Sequence, residues 1–254
     1  MSRPVVLTTD DMNQSLYGTA RSRTLFLVGV QLAHLLRADL HMIHVDDPND
    51  LNFREPVYRK YLASLSEKGK VRNYKLDDHS VVKIYYRLLE GSPFEKILEA
   101  IEHTQNLALV VMGTYGRWGF RRWLIGSVTR KVIQRGHASV VLVGRSCVQA
   151  KRDRNPLGVC RLLAVVDKSV PQYWIDHVLR LGSSPKFEIQ MYELIKKTWF
   201  SRFRNTQSLK RLIAKSYREN KVTHVIIPKD FPVSLRSLAG DAPVPIIVSA
   251  IKES

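Results

Sequence analysis

The chain has 254 residues, 44% of them hydrophobic, a net charge of +17 and two cysteines. That length suits one large domain or two of ordinary size with a real core, and no apolar run approaches the roughly 18 residues of a membrane span. Cys147 and Cys160 form no disulfide framework, no histidine stands at metal-ligand spacing from them, and the opening MSRPVVLTTD lacks the segments of a signal peptide. A reduced, cytoplasmic protein is expected.

In chain order, short apolar runs alternate with longer amphipathic ones. Val5–Asp10 (VVLTTD) has the pattern of a buried strand, and Ala20–Ala38 carries apolar residues at helical intervals. A strand at Leu40–Val45, a polar and variable stretch, and a strand at Val81–Gly91 follow. Ser92-Pro93 predicts an N-cap followed by proline at the first helical position, opening a helix that ends near Thr104. Leu107–Gly113 and Ala138–Gly144 are two further strands, separated by GTYGRWGFRRWLIGSVTRKVI (Gly113–Ile133). Strands alternating with helices imply crossover units and a parallel sheet.

A charged linker, QAKRDRNPLG, precedes a shorter restart of the same plan. Arg161–Ser169 parallels Val5–Asp10, with Asp167 in the place of Asp10. Phe187–Leu194, Val222–Asp230 and Pro243–Ala250 parallel the second, fourth and fifth strands, while a third is not visible. The expected domains are 1–146 and 158–254, joined by linker 147–157. The first 145 residues carry 21 basic and 14 acidic side chains, the remainder 19 and 9, so the shorter second half is the more basic. Such a charge favours polyanions and says nothing about fold.

Gly113, Gly116 and Gly126, with Ser127 after the last, lie between a buried strand and a helix. Small residues there let backbone approach a ligand or adopt positive φ. The helix that follows offers free N–H groups and the positive end of its dipole to an anion, and Ser127 can cap the helix or bond a phosphate oxygen. Neither a Walker A loop nor G-x-G-x-x-G occurs in the chain.

The spacing G-x2-G-x9-G-[ST] resembles the nucleotide-binding signature of the universal stress protein family. Asp10 after strand one, His44-Val45 ending strand two, EGSPFEKILEAI before strand four and SVVLVG as strand five agree with it. The resemblance covers residues 1–145 and, more weakly, the second half. It implies two tandem doubly wound α/β domains with five-stranded parallel sheets of order 3-2-1-4-5. The nucleoside would lie at the switch point between strands one and four. ATP, with Mg on its phosphates, is the implied ligand. Thr8, Asp10 and the backbone of Val45 would meet the adenine end, and Met112 and Gly113 the ribose. Gly116, Gly126, Ser127 and Val128 would give the phosphates backbone donors and one hydroxyl, with Arg117 as a further phosphate contact. In the second half Pro228 stands at the equivalent of Gly113 and only Gly240 remains of the three glycines. Proline removes a backbone donor, so that half is not expected to bind a nucleotide in the same way.

No nucleophile–base–acid set can be assigned, and the implied function is an ATP-binding stress-response regulator rather than a dedicated enzyme. A slow ATPase and a basic adaptor for nucleic acid or an anionic membrane surface are the alternatives. The adaptor would use Lys196–Lys221, which has nine basic residues and one acidic. Leu209, Leu212, Ile213 and Tyr217 fall on one helical face there, with Trp199, Phe200 and Phe203 outside that helix. His41 and His44 are read as structural. Ala138–Gly144 and Val244–Ala250 are apolar edge strands, so the two halves are expected to pair through them, antiparallel, within one chain. Any homodimer would use another surface.

Overall fold

Short runs of Val, Ile and Leu with no polar face can satisfy both sides only inside a sheet covered on both faces. The computed structural model describes residues 5–8, 20–46, 71–76, 79–103, 109–114, 125–150, 160–181, 186–193, 201–219, 221–231 and 233–250. The first half runs β1 (Val5–Thr8), α1 (Ala20–Leu36), β2 (Leu40–Asp46), β3 (Val71–Lys75), β4 (Val81–Glu90), α2 (Pro93–Glu102), β5 (Leu109–Gly113), α3 (Ser127–Arg135), β6 (Ser139–Val143) and α4 (Arg145–Ala150). The second runs β7 (Cys160–Val166), α5 (Gln172–Leu181), β8 (Phe187–Glu193), α6 (Ser201–Arg218), β9 (His224–Pro228), α7 (Leu235–Asp241) and β10 (Ile246–Ser249). Ser92 and Pro93 open α2 where the sequence places them, although the Ser92 side chain makes no capping bond. Among the described residues no helix is long and apolar enough to cross a membrane.

The ten strands form one sheet of order β3-β4-β2-β1-β5-β6-β10-β9-β7-β8, rather than two sheets of five. The first half contributes six strands because β3, a polar segment without strand periodicity, pairs antiparallel with β4 (Asn73 opposite Lys83, Tyr74 opposite Val82). It occupies backbone groups that β4 would otherwise present at an edge. The Tyr74 ring, edge-on to Phe26 of α1 at 5.3 Å, helps to hold it. The second half contributes four strands, and β8 is outermost among the described residues.

The halves join where β6 meets β10 antiparallel, with Ile246 opposite Leu142, Ile247 opposite Val141 and Val248 opposite Val140. The side-chain period of two sends Val140, Leu142, Ile246 and Val248 into one core layer and Val141, Val143 and Ile247 into the other. Residues from α2, α3, α6 and α7 complete the first layer, and residues from α1, α4 and α5 the second. Both layers therefore run through the seam. Gly144, directly after β6, shows how close the approach is, since a Cβ there would collide with the Ala239 carbonyl oxygen. No side chain larger than hydrogen fits without moving α7.

Two expectations need correction. The linker does not begin at residue 147, because Cys147 and Val148 are buried in α4, and Tyr217 Oη–H donates to the Ala150 carbonyl at 3.0 Å. The apolar face of this short helix continues the core past the expected boundary. The basic segment differs as well: α6 starts at Ser201, so Phe203 belongs to the helix. Trp199 and Phe200 lie outside the described residues.

Candidate functional site

β1 lies between β2 and β5, parallel to both. The chain leaves β1 toward β2 on one side and later returns as β5 on the other. In sheets of this order the ligand crevice forms beyond the carboxyl ends of the strands at such a switch point, here β1 and β5. The register sets Leu7 beside Val111 and Thr8 beside Ile43, so Met112, Gly113 and Val45 all lie at that end. Met112 is buried and Val45 and Val128 pack against the same apolar cluster, which leaves the Met112 backbone rather than its side chain to line the crevice. Asp10, Gly116 and Arg117 lie outside the described residues, as does the Thr8 side chain.

Two threonines that the sequence reading did not single out fix the start of α3. Buried Thr129 donates its Oγ1–H to the Gly113 carbonyl at 3.0 Å, tying the first helical turn to the end of β5. Thr114 N–H donates to the Val143 carbonyl at 3.2 Å, and the Thr114 carbonyl accepts from Gly126 N–H at 2.9 Å. The sequence signal for this was weak: a threonine two residues after Ser127 is common and has no local partner.

The Gly126 N–H, expected from the motif to face a phosphate, is here bonded to the Thr114 carbonyl. The first bond within the helix runs from Arg130 N–H to the Gly126 carbonyl at 2.9 Å. Helix geometry leaves the N–H groups of Ser127, Val128 and Thr129 with no acceptor inside the helix. Gly126 makes no side-chain cap, Ser127 is exposed, and the first turn holds no acidic residue. Among the described residues no acidic side chain meets the positive end of the dipole, where an anion would be stabilised.

The backbone of Gly126, at φ −55° and ψ 149°, is available to any residue. A Cβ built there would find its nearest described neighbour, Thr129 Oγ1, at 3.9 Å, an ordinary contact. Neither backbone strain nor packing among the described residues requires glycine at this position. Among the described residues no side chain fills the space before this helix start, which is what an approaching oxyanion would need.

The histidines of β2 stand apart from this chemistry. His41 stacks on Tyr85 with ring centroids 4.9 Å apart. Burial, and then the Arg87 charge, hold its imidazole below the ordinary range, with Asp39 opposing. His44 is buried. No cluster of three or more His, Cys, Asp or Glu suited to a metal occurs among the described residues. On α6, Leu209 and Ile213 are buried while Arg211, Lys215 and Arg218 are exposed, and Lys210 Nζ pairs with Asp241 at 2.6 Å.

Residues 1–144 match the Universal stress protein family. Universal stress protein MJ0531 of Methanocaldococcus jannaschii is 41% identical over 148 residues, covering 56% of this chain and 81% of that protein. Universal stress protein MJ0577 of the same organism is 30% identical over 79 residues, covering 31% of this chain and 48% of its own. The crystal structure of the functionally unknown protein PA1789 from Pseudomonas aeruginosa superposes with a TM-score of 0.52 at 10% identity, covering 97% of this chain and 92% of the other. That likeness concerns the fold alone and extends over both halves. On the match of residues 1–144, together with the identity to MJ0531, the chain belongs to the universal stress protein family, and its role lies in the stress response.

Proposed function

We propose that the first half binds ATP in the crevice between β1 and β5, and that occupancy of this site is a regulatory signal rather than a step in a dedicated enzymatic reaction. The observation that carries this reading is Gly126, which combines an uncapped helix start with room that the described residues do not fill. Phosphates would be held by the N–H groups of Ser127 and Val128 and the Ser127 hydroxyl, with Gly116 and Arg117 supplied by the motif. The carbonyl end of Gly113 and the backbone of Val45 would face the nucleoside, and Thr8 and Asp10 would complete the adenine side. Bound ATP, with Mg on its phosphates, supplies the charge that the open end of α3 attracts. The two halves act as domains joined after Ala150. Cys147 and Cys160 are buried and share no disulfide, which suits a reducing cytoplasm.

The test is calorimetric titration of ATP into Gly126→Val and Gly116→Val variants, with circular dichroism to monitor the fold. Each branched side chain would occupy phosphate space, and affinity should fall about 100-fold, or ~2.7 kcal/mol, with the fold intact. Wild-type affinity in both variants would remove the phosphate-loop assignment.

A further inference from the structure

The corresponding crevice of the second half has a cavity of its own. Beyond the carboxyl ends of β7, β9 and β10 lies a space of about 590 Å³, in the range of small-molecule sites. It sits between the halves, with His137 of the first on one wall and Val170 and Pro171 of the second on another.

Two polar atoms make this cavity more than a packing gap. Trp174 and Ser249 line it, are 2% and 3% exposed, and leave Trp174 Nε1 and Ser249 Oγ buried with no hydrogen-bond partner among the described residues. An indole N–H can only donate. Leaving a buried polar group unbonded is unfavourable, so two on one cavity point to an acceptor supplied from outside the chain.

The other walls define that acceptor's chemistry. Trp174 belongs to the first turn of α5, whose first bonds are from Trp174 N–H and Ile175 N–H to the Pro171 carbonyl. The N–H groups of Gln172 and Tyr173 therefore lack acceptors in the helix, and no acidic residue occupies that turn. Lys229 brings an ammonium that donates to the Gln134 and Gly136 carbonyls at 3.1 and 3.3 Å and has a third proton. Two carboxylates lie nearby. Asp230 is on the wall but exposed, and Asp167 accepts from Ser169 N–H and Oγ–H, holding the loop before α5. Val170, Pro171 and Phe231 add an apolar stretch to a lining that also holds Gln134, His137 and Tyr173. Pro228 ends β9 where the first half has Gly113, and proline removes the backbone donor at that position.

We propose that this cavity binds a small organic acid, with carboxylate oxygens accepting from Trp174 Nε1–H and Ser249 Oγ–H and an apolar body against Val170, Pro171 and Phe231. The site is independent of the nucleotide reading of the first half. Its test uses the full-length, ¹⁵N-labelled chain titrated with benzoate, phenylacetate, benzamide and ATP while the indole N–H signal absent from Trp174→Phe is followed. The two acids should shift that signal saturably at millimolar concentration or below, with benzamide about tenfold weaker. Ser249→Ala, which deletes one oxygen, should weaken both acids about tenfold and carries the test alone if Trp174→Phe does not fold. The proposal is overturned if neither acid shifts the signal, if Ser249→Ala binds as wild type, or if benzamide or ATP matches the acids at this signal. An ATP failure at the first crevice leaves all of these outcomes readable.

Discussion

At the carboxyl end of β5 the chain passes from Gly113 and Thr114 to Gly126, and α3 starts without a side-chain cap. At the carboxyl end of β9 it passes through Pro228, Lys229 and Phe231 to Ser234, whose Oγ accepts from Ser237 N–H at the start of α7. Ser234 N–H in turn donates to Thr206 Oγ1 at 3.0 Å. The strand framework is shared, yet in the second half the chain itself satisfies part of what the first leaves open. On the proposed reading, binding capacity in this architecture depends less on strand order than on which backbone donors the protein has already used. The second half also turns its replacement loop inward, where Lys229 caps the carboxyl end of α3. One helix therefore presents its positive end to the proposed phosphate site while its negative end rests on the other half's ammonium.

The strongest way to break the comparison is to open the seam that makes the halves one body. Val141→Lys places an ammonium where the wild-type residue is 0% exposed, and ~3–5 kcal/mol of stability should be lost. Ile247→Lys should cost less, because that position is 9% exposed and a long stem can carry its charge toward water. Urea melts of the two variants measure the difference. Wild-type midpoints in both would mean that β6 and β10 do not meet in solution.

A finer cut removes only the cap between the halves. Lys229→Met keeps much of the stem and deletes the charge at the end of α3, which should lower stability by about 1–2 kcal/mol. If the halves behave as one unit, thermal unfolding stays a single transition and moves down by a few degrees. Two separate transitions would show that the cap is what couples them.

The smallest expected effect belongs to the first half alone. Burial and Arg87 lower the His41 pKa in the folded chain, so on acidification the unfolded chain takes up this proton first. The stability contribution present above the ordinary imidazole value of about 6.5 is lost as pH falls through it and levels off below the folded value. His41→Phe keeps a ring on Tyr85 and should flatten the stability–pH curve in that window, as read from urea midpoints at a series of pH values. An unchanged slope would assign the acid sensitivity to other groups.

Much of the architecture was legible in the residues. Buried strands such as Leu109–Gly113 and Ser139–Val143 are continuous apolar runs that only a covered sheet can hold, and the glycine spacing marks the turn from β5 to α3. Apolar edges at Val140–Leu142 and Ile246–Val248 could not stay open to water, which made their antiparallel meeting predictable. Other features depended on partners far away in sequence. Val71–Lys75 has no strand periodicity and becomes β3 because the edge of β4 is there to pair with. Gly126 loses its N–H to Thr114, Thr129 anchors α3 to Gly113, and Lys229 reaches Gln134 across the seam. Trp174 and Ser249 look like ordinary helix and strand residues until the sheet places both on one cavity. Local propensity and hydrophobic period act over a few residues and determined the elements. Which donors are used and which remain open depends on groups that only the closed sheet brings together, and that is where the two halves part.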